Sequence, residues 1–126
     1  MLDASRPLNA AETALRTFAL SYPQTSEDFP WGHRAFKVKK KIFATMTTDD
    51  DDVTFSLKLP ASGRAVLKQP FAEPTHYGLG KHGWVTLTFK AGKKLPMANL
   101  KAWIDESFRA IAPKTLVKSM DATDSK

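Results

Sequence analysis

The chain has no cysteine, which excludes disulfides, thiolate metal sites and a cysteine nucleophile. It has no apolar run near the roughly 20 residues that a membrane-spanning helix requires. The opening residues Met1-Leu2-Asp3-Ala4-Ser5-Arg6-Pro7 carry no apolar segment of signal-peptide type, so the expected location is cytoplasmic, with no membrane partner. Catalytic signatures are also missing. There is no GxSxG elbow, and neither Asp105-Glu106 nor Glu27-Asp28 has a histidine or nucleophile at readable spacing for general acid–base work. His33, His76 and His82 fit no short zinc pattern. The run Asp49–Asp52 lacks the alternating ligands, central glycine and distant glutamate of a calcium loop, and reads as a solvated turn. No catalytic residue, metal or cofactor is expected, and the chain is read as non-enzymatic.

What is present is positive charge, unevenly placed. The 126 residues carry a formal net charge of +6. Residues 34–94 hold twelve Lys/Arg against five Asp/Glu, so the whole excess lies in the middle of the chain. A basic zone of this kind attracts polyanions, nucleic acid first among them.

The periodicities define the elements. Asn9 followed by Glu12 is a capping-box start, and Leu15, Phe18, Ala19 and Tyr22 recur at helical spacing until Pro23, which predicts a first helix at about 9–21. Glu27–Trp31 reads as an edge strand because of Pro30. Ala35–Lys39 and Val53–Leu59 alternate apolar with polar, as does Val85–Phe89. Lys41–Thr48 lies between the first two. A short helix is expected at about 60–69. A last helix opens near Pro96, carries Met97, Leu100, Ile104, Phe108 and Ile111, and ends at Pro113. Residues 1–117 then form a single domain, expected to be monomeric, and 118–126 a frayed tail.

Clean alternation implies a mostly antiparallel sheet with one covered face. The apolar parity must meet the terminal helices, which predicts an α+β two-layer sandwich. The other face then collects Lys37, Lys39, Thr54, Ser56, Lys58, Trp84, Thr86 and Thr88. In Lys41–Thr48 the parity is ambiguous; if Ile42, Ala44 and Met46 face the core, Phe43 joins the wet face. The stretch Gly78-Leu79-Gly80-Lys81-His82-Gly83-Trp84 leads into a strand, whereas a phosphate loop would follow a strand and open a helix. Its Trp84 is either a platform for stacking beside Lys58 and Lys81 or a cap on the edge of the core.

Several segments together resemble the MmcQ/YjbR family. They are Phe29-Pro30-Trp31-Gly32-His33, Phe36-Lys37-Val38, Lys41-Ile42-Phe43-Ala44, Leu57-Lys58-Leu59-Pro60 and Leu79-Gly80-Lys81-His82-Gly83-Trp84-Val85, followed by Ser107-Phe108-Arg109 and Ala112-Pro113-Lys114. The likeness spans about residues 10–117. It implies a frataxin-like (CyaY-like) sandwich in a small cytoplasmic protein of a family usually described as DNA-binding through a double-wing arrangement. This chain places Lys39-Lys40 at a hairpin tip where relatives often have glycine, and makes the next turn acidic at Asp49–Asp52. Iron binding of the frataxin kind relies on an acidic helix, and the first helix here offers only Glu12.

The sequence therefore predicts a DNA-binding protein that uses a basic hairpin and a sheet face. Lys37, Lys39, Lys40, Lys41, Lys58 and Lys81 would meet phosphates, with His82 beside them, and Trp84 and Phe43 would stack. The alternative is a module for a small anionic ligand or a protein partner on the Trp84/Lys58 face.

Overall fold

The computed structural model of the 126-residue chain describes residues 8–28, 34–48, 52–75, 82–90 and 94–124, the last four without their side chains. The elements in chain order are α1 (Ala10–Leu20), β1 (Thr25–Asp28), β2 (Arg34–Val38), β3 (Lys41–Thr48), β4 (Asp52–Lys58), α2 (Gly63–Val66), β5 (Ala72–Pro74), β6 (Trp84–Lys90), α3 (Met97–Ile111) and α4 (Lys114–Asp124). The six strands form one open antiparallel sheet in the order β1-β2-β3-β4-β6-β5. Helices α1 and α3 cover one of its faces, which is the expected two-layer α+β sandwich.

Local chemistry starts α1 where the sequence places it. The Glu12 amide donates to Asn9 Oδ1 at 2.8 Å, and the Asn9 amide donates to the Glu12 carboxylate at 3.0 Å. That reciprocal box satisfies two of the helix's orphan donors and gives the buried Glu12 carboxylate one of its hydrogen-bond partners. Leu15 and Ala19 then meet Leu100, Ile104 and Phe108 of α3 in the core, with Phe36, Val38, Ala44, Met46, Val53, Phe55, Leu57, Val85 and Leu87 supplied by the sheet. Leu87 is fully buried while Thr86 is not, so the expected parity of β6 holds. Phe18, expected in the core, is only partly buried and packs against its margin.

Strand β3 departs from simple alternation. Phe36 pairs with Ala44 but Lys37 pairs with Ile42, so Phe43 is an extra residue, a β-bulge. The bulge turns Phe43 inward beside Ala44, and both are buried. Phe43 sits edge-on to Phe108 at 5.1 Å and to Tyr22 at 6.4 Å. It is a core side chain, and its expected place on the wet face is corrected. Ser107 of α3 seals the opening that the bulge leaves. The Lys58 amide donates to Ser107 Oγ at 2.8 Å, and the Ser107 hydroxyl donates to the Phe43 carbonyl. Ser107→Ala removes both bonds inside the core, and unpaired buried groups cost about 1–3 kcal/mol. A chemical melt should show that loss, whereas an exposed serine would give a change within about 0.5 kcal/mol.

The edge of the sheet is tied to α1 by charge. Glu27 on β1 accepts from Arg16 at 2.7 and 2.8 Å and from Arg34 at 3.1 Å. The Arg16 hydrogen bond holds the Glu27 carboxyl below the ordinary glutamate value; burial opposes this and Arg34 supports it. A carboxyl depressed in the folded state contributes stability above its unfolded pKa and loses it as the pH falls through the folded value. Arg16 is 38% exposed, so screening limits the effect to about 0.5–1 kcal/mol. Glu27→Gln should cost that amount at pH 7 and flatten the acid limb of stability below the normal glutamate range.

Two elements differ from the sequence reading. β5 was not expected; Ala72–Pro74 pairs along β6 as an edge strand. Residues 118–124, expected as part of a frayed tail, continue α4, whose Leu116, Val117 and Met120 pack against the core margin. The acidic run Asp49–Asp51 and the glycines Gly78 and Gly80 lie outside the described residues.

Candidate nucleic-acid interface

The link between β2 and β3 is a two-residue tip, Lys39-Lys40, with φ of 51° and 71°. Two consecutive positive φ values define the tight hairpin turn that Asn-Gly satisfies most readily. A side chain with a Cβ in the left-handed region costs about 1–2 kcal/mol, so this chain bears strain at the one point where two lysines project. Lys39, Lys40 and the adjoining Lys41 are all exposed. Among the described residues none of them forms an ion pair.

Register builds the rest of the site on the sheet's open face. One step toward the tip from the core row Phe36–Ala44–Leu57–Val85 stand two cross-strand pairs, Lys37–Ile42 on β2 and β3 and Lys58–Trp84 on β4 and β6, flanking the place where the β3–β4 pairing ends at Ala44–Leu57. Lys58 and Trp84 are direct cross-strand partners, and both are partly buried. Lys37 is bridged to Asp28 at 3.0 Å, so part of its charge is already countered.

Behind these pairs the open face is a field of hydroxyls. Thr45, Ser56 and Thr86 align across β3, β4 and β6, and Thr47, Thr54 and Thr88 form the next line. Ser56 and Thr86 lie 3.3 Å apart, and Thr75 reaches Thr86 at 2.9 Å. Such groups offer neutral donors and acceptors to phosphate, sugar or base edges. Beyond them, Asp52 is paired with Lys90 at 3.2 Å. Eight residues of β3 separate the tip from that end, about 25 Å at 3.3 Å per residue. That is roughly three screening lengths at physiological salt, so Asp52 acts only weakly on the tip.

His82 is exposed just before Gly83. The φ of Gly83 is 89°, which requires glycine there, and its carbonyl accepts from the Leu59 amide at 2.8 Å. That bond continues the β4–β6 pairing one step past Lys58–Trp84. Lys81 lies outside the described residues. Of the residues singled out by sequence, the structure therefore brings Lys37, Lys39, Lys40, Lys41, Lys58, His82 and Trp84 to one end of the sheet and removes Phe43 to the core.

Sequence reasoning missed a second basic element at this end. Lys39 lines a shallow depression with Gln24, Pro113, Thr115, Leu116 and Ser119. The next depression along α4 is lined by Arg109, Lys114, Thr115, Val117 and Lys118. The i, i+4 spacing of Lys114 and Lys118 was the available signal. Among the described residues no three metal-ligating side chains cluster, and no helix is long and apolar enough to cross a membrane.

No curated protein matches the chain. Among solved structures, a Pseudomonas syringae protein determined by the Northeast Structural Genomics Consortium superimposes with a TM-score of 0.60 at 19% identity, over 82% of this chain and 98% of that one; at this identity the likeness concerns the fold. A family model described as YjbR matches residues 20–110. Together with the segments from Phe36-Lys37-Val38 through Ser107-Phe108-Arg109, that match makes the chain a member of the YjbR family.

Proposed function

We propose that this protein binds nucleic acid without catalysing a reaction on it, through the Lys39-Lys40 tip, Lys41, and the Lys58/Trp84 end of the open sheet face. The observation that carries the reading is the tip itself. Lysine occupies both positive-φ positions of a two-residue turn, where Asn-Gly would fold better. Strain kept at an exposed position is a pointer to function. A projecting pair of uncompensated cations fits a phosphate backbone, and the hydroxyl rows beside Lys58 supply further contacts.

The test exchanges the tip for Lys39→Asn together with Lys40→Gly. Stability should rise by about 1–2 kcal/mol as the turn strain is relieved. Affinity for DNA at low salt should fall, with the salt slope on a duplex reduced by about two units. The opposite signs make the outcome specific. A more stable protein with unchanged DNA affinity would reject the reading.

A second reading rests on the Lys58/Trp84 pair backed by Ser56 and Thr86, which would also suit a small anionic ligand. That ligand would remain bound after the tip exchange and be lost with Lys58→Gln.

A further inference from the structure

Granting the nucleic-acid reading, we infer that the ligand is a single strand whose backbone crosses the end of the sheet, from Lys58 and Trp84 over the lysine tip to Lys114 and Lys118 on α4. Three placements carry this. First, the cations lie on both sides of the sheet. Lys37 and Lys58 are on the open face, whereas Lys41 pairs with the buried Val38 and so points to the helical side. Lys39 borders α4 through Thr115 and Ser119, and Lys114 and Lys118 continue from Thr115 along the exposed side of that helix. Neither Lys114 nor Lys118 forms an ion pair with another described side chain.

Second, α4 packs Leu116, Val117 and Met120 against the core and so lies on the helical side, whereas Lys58 is on the open face. A ligand touching both Lys58 and Lys114 must therefore turn over the end of the molecule within a few nucleotides. A duplex has a persistence length of about 150 base pairs and resists such a turn, whereas a single strand follows it freely. Third, Trp84 offers a partly exposed ring on the open face next to Lys58. A ring of this kind stacks on the unpaired bases of a single strand and has nothing to stack on in a closed duplex.

The same geometry explains why the path should be short. The charge ends where the hydroxyl rows lead to the Asp52–Lys90 pair, so a strand laid along the full length of the sheet would leave the cations behind.

The experiment measures fluorescence anisotropy of the full chain with an oligothymidylate of about twelve nucleotides and with a hairpin duplex of matched charge, across a salt series. The strand should bind more tightly than the duplex. Lys114→Gln with Lys118→Gln should lower the salt slope on the strand by about 1.4 units, and Lys39→Gln with Lys40→Gln by a similar amount. Trp84→Ala should lose about ten- to a hundredfold in strand affinity with duplex binding unchanged. Lys90→Gln with Lys94→Gln, two exposed lysines outside the path, should leave the slope unchanged. Thermal melts of each variant separate loss of binding from loss of fold, and a conservative Trp84→Phe keeps the stacking arm readable if the alanine variant is unstable. Duplex binding equal to or tighter than strand binding overturns the inference, as does an unchanged slope in the α4 variant beside a reduced one in the tip variant; both outcomes leave nucleic-acid binding itself standing. Absence of binding to either probe at low salt overturns both.

Discussion

Replacing Phe108 with alanine should lower the unfolding free energy by about 3–5 kcal/mol, the range for removing a fully buried aromatic ring. Phe108 has no exposed surface. Its ring stacks on Tyr22 at 4.2 Å and meets Phe43 edge-on at 5.1 Å, while Tyr22 meets Phe18 edge-on at 5.5 Å. One substitution would therefore remove the α3 ring from a four-ring cluster that joins α1, β3 and α3 through Tyr22. Collapse to refill the space is limited, because Tyr22 is tethered by its hydroxyl to Asp105 at 2.6 Å and Phe43 by the bulge. Leu87→Ala, in the middle of β6, should cost about 2–5 kcal/mol for the same reason. Trp84→Ala, on the open face, should cost much less than either. Urea melts of the three variants check the order, and a Phe108 loss under about 1 kcal/mol would contradict the docking of α3 on the bulge.

The second large effect is on affinity. If four to six of the lysines at the tip end neutralise phosphates, log K against log salt on duplex DNA should fall with a slope of roughly −3.5 to −5.5. Between 50 and 200 mM salt that slope weakens binding by about a hundredfold to two-thousandfold. Anisotropy titrations at several salt concentrations measure it directly. A slope near zero on both duplex and single strand would mean that the exposed lysines make no phosphate contacts, and the proposed interface would fail with them. Charge reversal at Lys39 and Lys40 should act more strongly than neutralisation, since like charge at the tip repels the backbone in addition to losing the attraction.

Much of this architecture was legible before any coordinates. Period-2 alternation in Val53–Leu59 and Val85–Phe89 sorted buried from open positions correctly, because a strand has only two faces and one of them must be apolar. The Asn9–Glu12 box marked the start of α1 because its geometry is local to one helical turn. The lysine hairpin was legible from the two strand patterns that flank it, although Lys39-Lys40 is not the pair that a tight turn with two positive φ values prefers.

What the chain could not announce were features that depend on distant partners. Whether Phe43 or Ile42 faced the core turned on a single extra residue in β3, and a one-residue shift exchanges the two faces of a strand. That shift is sustained by Ser107, 64 positions away, bridging the Phe43 carbonyl and the Lys58 amide. Residues 118–124 looked like part of a frayed tail because Leu116, Val117 and Met120 are too few to signal a buried face. They become α4 where the fold brings them against the core margin and the turn at Tyr22–Gln24. Sequence by itself determined the class of fold, the parity of its central strands and the excess of positive charge, all set by short-range periodicity and composition. Only tertiary structure decided that Phe43 is core, that Trp84 stands beside Lys58, and that Lys39 borders α4 at Thr115 and Ser119, because each depends on register or docking between segments far apart in the chain.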